Sequence, residues 1–161
     1  TLSSPFEVNG PRYITIGRKV HIKNNSWFLA LKKDDCIPNL ELEDNVYIGR
    51  GFHIVCINEI KIKSNVLISD NVYISDNLHD YKNISIPIKD QNLIFKNNVV
   101  VGESTWLGEN VCVIGAKIGR HCVIGSNSVV LSDIPDYSVA VGSPAKVIKK
   151  FNRETKKWDR V

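Results

Sequence analysis

A chain of 161 residues with 43% hydrophobic and 24% charged residues is long enough for one domain with a continuous core and has an ordinary globular composition. Its net charge of +4 is a mild excess without a basic stripe interleaved with aromatics, which argues against a nucleic-acid partner. No apolar run reaches membrane-spanning length and no signal-peptide pattern opens the chain, so a cytoplasmic protein without a membrane span is expected; the first residue is Thr1 rather than Met, and the native N-terminus is expected upstream.

Along the chain, aliphatic residues recur every six positions. Ile16 and Ile22 begin the series, followed by Leu42, Ile48 and Ile54, by Ile62, Ile68 and Ile74, by Val101, Leu107 and Val113, and by Ile118, Ile124 and Val130. Glycine often follows, as in Ile16-Gly17, Ile48-Gly49, Leu107-Gly108, Ile118-Gly119 and Ile124-Gly125. Four places on, a small or branched residue recurs at Val20, Ser26, Val46, Val66, Val72, Val111, Cys122 and Ser128. Six matches neither the helical period nor the strand period. It predicts short strands joined by tight turns, with three such sides closing a triangular coil. Stacked coils pair in parallel and bury the leading aliphatics, while glycine or asparagine takes the unusual turn dihedrals. The expected fold class is all-β, a solenoid of hexapeptide repeats forming a single domain over residues 1–161.

The period breaks in identifiable places. The stretch from Phe28 to Leu40 lacks it and reads as a smaller loop. Phase slips fall between Ile54 and Ile62 and between Val113 and Ile118. The largest break separates Ile74 from Val101, where a loop over about residues 77–98 contains Pro87; loops of this length inside a compact domain are functional or disordered. A short tail follows from about residue 146 to 161, with a basic cluster at Lys146, Lys149, Lys150, Arg153, Lys156 and Lys157 that suits a phosphorylated ligand or a solvated face.

Cys36, Cys56, Cys112 and Cys122 have no CxxC spacing, which argues against a zinc or redox motif; they read as reduced packing residues, and no metal is expected. His21 and His53 fall at the end of a hexad and His121 on a turn, so each reads as an exposed surface residue. His79 stands outside the repeat, at the mouth of the long loop, near Asp76, Asp80 and Tyr81.

The run Trp106-Leu107-Gly108-Glu109-Asn110-Val111, then Ile118-Gly119, Val123-Ile124-Gly125-Ser126-Asn127-Ser128-Val129-Val130, Asp133-Ile134-Pro135 and Gly142-Ser143-Pro144-Ala145-Lys146-Val147-Ile148-Lys149, resembles the C-terminal half of the bacterial hexapeptide-repeat acetyltransferases, among them the galactoside and maltose acetyltransferases. Leu78-His79-Asp80-Tyr81 resembles the loop of the colanic acid and O-antigen O-acetyltransferases. The resemblance implies a left-handed parallel β-helix, although parallel crossovers are otherwise right-handed. It implies a homotrimer with sites in the clefts between subunits, each using His79 of one chain and coil edges of its neighbour; an apolar face including Val99 and Phe95 is expected at that contact. The implied activity is transfer of acetyl from acetyl-CoA to a sugar hydroxyl in O-antigen or capsule biosynthesis. His79 would be the general base, with Asp76, Asp80 and Tyr81 as candidate supports. The implied CoA contacts are Trp106, Ser126, Leu131, Ser132, Lys146 and Lys149. This chain has Leu131-Ser132 where galactoside and maltose acetyltransferases often have Thr-Lys, and Glu109 where they carry a small residue. The competing readings are an N-acetyltransferase of an amino sugar or an antibiotic, a non-catalytic β-helix scaffold, and a γ-type carbonic anhydrase. The last needs three histidines converging on zinc, and His53 and His79 are too far apart in sequence to supply a pair within one coil.

Overall fold

Three ladders of inward side chains organise the computed structural model, which describes residues 1–4 and 6–161. The first face pairs Phe6–Asn9, Ser26–Ala30, His53–Cys56, Tyr73–Ser75, Cys112–Ile114 and Val129–Val130 in parallel. Its register stacks Val8, Phe28, Ile54, Ile74, Val113 and Val130. The second face runs through Ile14–Ile16, Asn39–Leu42, Glu59–Ile62, Val99–Val101 and Lys117–Ile118, aligning Ile16, Leu42, Ile62, Val101 and Ile118. The third runs through His21–Ile22, Tyr47–Ile48, Leu67–Ile68, Trp106–Leu107, Val123–Ile124 and Ser138–Val141, aligning Ile22, Ile48, Ile68, Leu107, Ile124 and Ala140. The six-residue period is therefore the distance from one face to the next, and each leading aliphatic lands on its counterpart one coil away.

The corners divide the work between two residue types. Lys19, Asn25, Asn45, Asn65, Asn71, Ser104, Asn110, His121, Asn127 and Tyr137 all have φ between 51° and 62°, the left-handed region that asparagine tolerates better than most side chains. Each directly precedes a buried residue, among them Val20, Ser26, Val46, Val66, Val72, Val111, Cys122 and Ser128. Asparagine side chains also link coils: the Asn45 amide donates to Asn65 Oδ1 at 2.8 Å and the Asn110 amide to Asn127 Oδ1 at 3.1 Å. The hexad glycines serve space more than dihedrals. A Cβ on Gly102 would lie 2.4 Å from the carbonyl carbon of Gly119 in the next coil. At Gly17 the same closeness admits Asp44, which accepts from the Arg18 backbone N–H at 2.7 Å and pairs with its guanidinium at 2.6 Å. The arrangement repeats with Arg50 and Asp70 and with Arg120 and Asp136.

The breaks resolve into features of one corner, between the first and second faces. The smaller loop is narrower than expected: Phe28 and Ala30 are buried in a strand, as is Leu40 in the next, which leaves residues 31–38. One phase slip is the turn at Ile57 and Asn58, the other the turn at Gly115 and Ala116. The long loop leaves from the same corner as an antiparallel ribbon, Asn77–His79 against Leu93–Phe95, and contains a 3-10 turn at Ile88–Asp90.

The tail takes a definite form, and one expectation is corrected. The tail is a β-hairpin: Lys146–Asn152 pairs antiparallel with Ser138–Val141, and Lys157–Arg160 pairs with Lys146–Asn152, extending the third face. Val99 is fully buried inside the coil, where its strand's alternation turns it inward, so it cannot belong to an exposed subunit contact; Phe95 lies on the ribbon with 47% of its surface exposed.

Because the ladders are close-packed, truncating one rung leaves a void. Ile62→Ala, at a fully buried position in the middle of the stack, should lower the unfolding free energy by about 2–5 kcal/mol, measured by urea denaturation, with the β-sheet circular dichroism signal retained in water.

Candidate functional site

The ribbon that carries His79 is anchored by a buried carboxylate. Asp76 follows the first-face strand Tyr73–Ser75 and is fully buried. Its Oδ1 accepts from the Ile57 N–H at 3.0 Å and from the Asn77 amide at 2.9 Å, and its Oδ2 accepts from the N–H groups of Asn58 and Glu59 at 2.7 and 3.0 Å. Donors of this kind satisfy a buried carboxylate without a cationic partner. The Asn77 amide also donates to the Val55 carbonyl at 3.1 Å. Asp76 therefore holds the turn of the preceding coil against the root of the ribbon, and its hydrogen bonds go there rather than to the imidazole of His79.

His79 lies opposite Leu93 in the ribbon and is exposed. The ribbon continues one step further, since the Asp80 N–H donates to the Asn92 carbonyl at 2.8 Å. The Asp80 carboxylate accepts from the Lys82 N–H at 3.0 Å, closing a local turn. Tyr81 is 65% exposed at the start of the loop's outer part. Of the three supports, Asp76 fixes the ribbon's base and Asp80 its outward end.

The residues expected at CoA separate into groups. Trp106 stands on the third face, its indole N–H donating to Ser69 Oγ at 3.0 Å. The register runs outward from it through Val123 and Val139 to Lys149. Trp106 and Lys149 line a groove of about 430 Å³ together with Ser104, His121, Val139 and Trp158. Ser126 and Lys146 are exposed near the end of the same face. Leu131 and Ser132 lie elsewhere: Lys96, directly after the ribbon, donates to the Leu131 carbonyl at 3.5 Å, which places Leu131 at the ribbon-bearing corner. Trp158 was not legible as a groove residue, because it sits in the tail where no repeat marks it.

His53 is not the exposed residue expected. Its ring stacks on Trp27, with centroids 4.3 Å apart and planes 13° from parallel, and meets the edge of Tyr73 at 5.1 Å. Among the described residues, its Nε2 is a buried polar atom without a hydrogen-bond partner. Burial holds its pKa below the ordinary histidine value. Cys56 is buried as well, and burial followed by the nearby Asp76 carboxylate pushes its thiol pKa up, so it stays protonated. Among the described residues, no three of His, Cys, Asp and Glu are grouped as metal ligands, and no helix is long and apolar enough to cross a membrane.

The chain is 44% identical over 137 residues to a probable acetyltransferase of Mycobacterium tuberculosis, Rv3034c, covering 84% of this chain and 44% of that protein. It is 40% identical over 124 residues to the putative lipopolysaccharide biosynthesis O-acetyl transferase WbbJ of Escherichia coli, covering 73% of this chain and 63% of that protein. A solved structure of the hexapeptide-repeat acetyltransferase VCA0836 of Vibrio cholerae, complexed with acetyl-CoA, superposes with a TM-score of 0.61 at 20% identity, covering 94% of this chain and 68% of that one. The curated relatives are named acetyltransferases, and the fold is that of the solved hexapeptide-repeat acetyltransferases. The three-faced column is accordingly the left-handed parallel β-helix of that fold. This chain spans less than two thirds of the length of either curated acetyltransferase. No model of a known protein family matches it.

The half-buried ring of His53 carries a pH signature. A histidine whose folded pKa lies below its unfolded value contributes stability that is present above the unfolded value, 6.5, and is lost as pH falls toward the folded one. The melting temperature should fall as pH drops from 7 through this window, and His53→Phe, which keeps a ring in the stack, should flatten that slope. Parallel slopes for both proteins in thermal denaturation would exclude the effect.

Proposed function

We propose that this chain transfers an acetyl group from acetyl-CoA to a sugar hydroxyl, with His79 as general base and the reaction taking place in a cleft between copies of a homotrimer. The observation that carries the reading is the construction around His79: an exposed imidazole on a short ribbon whose root is fixed by the Asp76 carboxylate. The names of the two curated relatives support acetyl transfer, and the Escherichia coli name supports a hydroxyl acceptor and a place in surface-polysaccharide biosynthesis.

In this mechanism neutral His79 takes the proton of the acceptor hydroxyl as its oxygen bonds to the thioester carbonyl carbon. A backbone N–H at a coil turn steadies the tetrahedral oxyanion, an interaction typically contributing about 3 kcal/mol. The carbon–sulfur bond then breaks, and the imidazolium returns its proton to the departing thiolate. The products are the acetyl ester and CoA thiol, without a covalent enzyme intermediate.

The donor is held by the groove on the third face. Trp106 offers a flat apolar surface for the pantetheine arm, and Lys149 and Lys146 place positive charge for the nucleotide phosphates. Leu131 and Ser132 contribute from the ribbon-bearing corner. A cleft between adjacent copies joins the third face of one chain to the ribbon of the next, which is why the two groups of donor contacts lie on different parts of a single chain.

Three measurements check this reading. His79→Ala should lower kcat by about 10²- to 10⁴-fold while CoA binding by calorimetry stays near wild type; a variant retaining more than a third of wild-type turnover would sink the mechanism. Lys146→Ala and Lys149→Ala should each raise the acetyl-CoA KM by an amount equivalent to about 1 kcal/mol, more at low salt, with little change in kcat. Light scattering should give three times the 18.1 kDa chain mass, and a stable monomer at micromolar concentration would count against the shared cleft.

A further inference from the structure

Charge is distributed unevenly along this chain. Residues 146–161, which hold the terminal hairpin, set seven lysines and arginines against Glu154 and Asp159, a net charge of +5 where the whole chain carries +4, so residues 1–145 are left at −1. Within the column, acids and bases also neutralise each other in pairs, as Arg18 does with Asp44, Arg50 with Asp70 and Arg120 with Asp136. Among the described residues, no cation of the hairpin takes part in an ion pair, and all of them except the half-buried Lys149 are exposed.

The hairpin also stands beyond the end of the column. The first face ends at Val129–Val130, and the second makes its last rung through the bridge of Ile134 to Ile118. The third face continues past its last parallel strand, Ser138–Val141, with Lys146–Asn152 and then Lys157–Arg160. With neighbouring strands about 4.8 Å apart, these two project roughly 10 Å along the column axis. A flat surface approaching end-on meets the hairpin first. The register divides its cations. Lys149 lies opposite Arg160 and Phe151 opposite Trp158, and these four share the side of the donor groove. Lys150 and Lys157 alternate to the other side, next to the turn that carries Arg153 and Lys156.

Unpaired charge of one sign selects an anionic partner. Charged side chains on an edge strand guard against edge-to-edge pairing, but that protection works with either sign and does not account for the imbalance. A single-stranded nucleic acid needs separate aromatic platforms for successive bases, whereas the rings of Phe151 and Trp158 pack against each other with centroids 5.4 Å apart. Ile148 stays 38% exposed among the lysines. An aliphatic side chain between lysine stems suits the boundary between lipid headgroups and acyl chains. A cluster of about four to eight lysines and arginines is the size that recognises an anionic membrane surface, and its projection from the column brings it inside the screening length of about 10 Å at 0.1 M salt.

We propose that the terminal hairpin is a docking surface for an anionic lipid membrane, with Lys150, Arg153, Lys156 and Lys157 on headgroup phosphates and the column standing end-on to the bilayer. The contact is peripheral and requires no membrane-spanning segment. In a trimer of cyclic symmetry all three hairpins project from the same end, so one assembly sets three of them on the surface at once and gains by avidity. That multiplication alone rests on the homotrimer of the reading above.

The test is cosedimentation of the full chain with vesicles of phosphatidylcholine alone and with vesicles containing about one third phosphatidylglycerol, with CoA affinity and oligomeric state measured alongside. The protein should pellet with the phosphatidylglycerol vesicles, be released from them by salt and ignore the phosphatidylcholine ones. Lys150→Gln, Lys156→Gln and Lys157→Gln together should weaken vesicle binding by about tenfold or more, arginine at the same three positions should retain it, and CoA affinity should be unchanged in both variants. The assignment is overturned if the two vesicle types bind alike, if neither binds at low salt, if the glutamine variant binds as well as wild type, or if a random-sequence oligonucleotide binds more tightly than the vesicles. Vesicle binding by a monomer would remove the shared cleft and the threefold avidity and leave the docking surface standing. A trimer that binds CoA and ignores the vesicles would overturn the docking surface and leave the acetyl-transfer reading standing.

Discussion

Everything in this molecule depends on like residues stacking on like at one-coil spacing. A leading aliphatic in one coil has its counterpart directly above and below it, so each rung is buried by its neighbours rather than by its own coil. Hydrophobic burial along the three ladders is the main stabilising term, and it leaves the outer surface of every face free to carry chemistry. The constraint also dictates where insertions are tolerated. A face cannot accept extra residues without throwing all later rungs out of register, but a corner can, provided the chain returns to the same phase. The 31–38 excursion and the ribbon both use that freedom, and both leave from the corner between the first and second faces.

The fixed carboxylate at that corner converts an insertion into a device. Without Asp76, the N–H groups of Ile57, Asn58 and Glu59 would be left without their acceptor where the chain turns tightly between two strands. With it, the turn of one coil and the root of the ribbon on the next become a single rigid unit. Lys33 adds a second connection from the excursion to the ribbon. The result is a protruding imidazole on a platform tied to two different coils, the preorganisation that the proposed general-base role of His79 calls for.

Sequence periodicity made the ladders legible because each rung repeats a local pattern, and Val20, Val46, Val66, Val72 and Val111 are buried where the pattern places them. It misled where a neighbour comes from another coil. His53 ends a hexad and reads as surface, yet Trp27, twenty-six positions earlier by number, lies directly beside it in the register and covers its ring. Asp76 reads as a candidate support of His79, yet its hydrogen-bond partners lie a coil away at Ile57 to Glu59. Val99 reads as part of an interrupted segment, although it opens the strand by which the second face resumes after the loop. The tail was illegible as structure for a different reason: it follows the strand period of two rather than the hexad period of six, and the change of period at Lys146 marks a change of architecture.

That change has a consequence for colloidal behaviour. A parallel solenoid ending on a bare coil would present an edge geometrically equivalent to every interface inside it, and a second molecule could continue the column indefinitely. Here the third face reverses direction twice, so the outermost strand, Lys157–Arg160, runs antiparallel to its neighbour and carries Lys157, Asp159 and Arg160. On this face an incoming first coil meets a strand of altered polarity and unlike side chains. The hairpin thus makes this end of the third face a poor template for a further parallel coil.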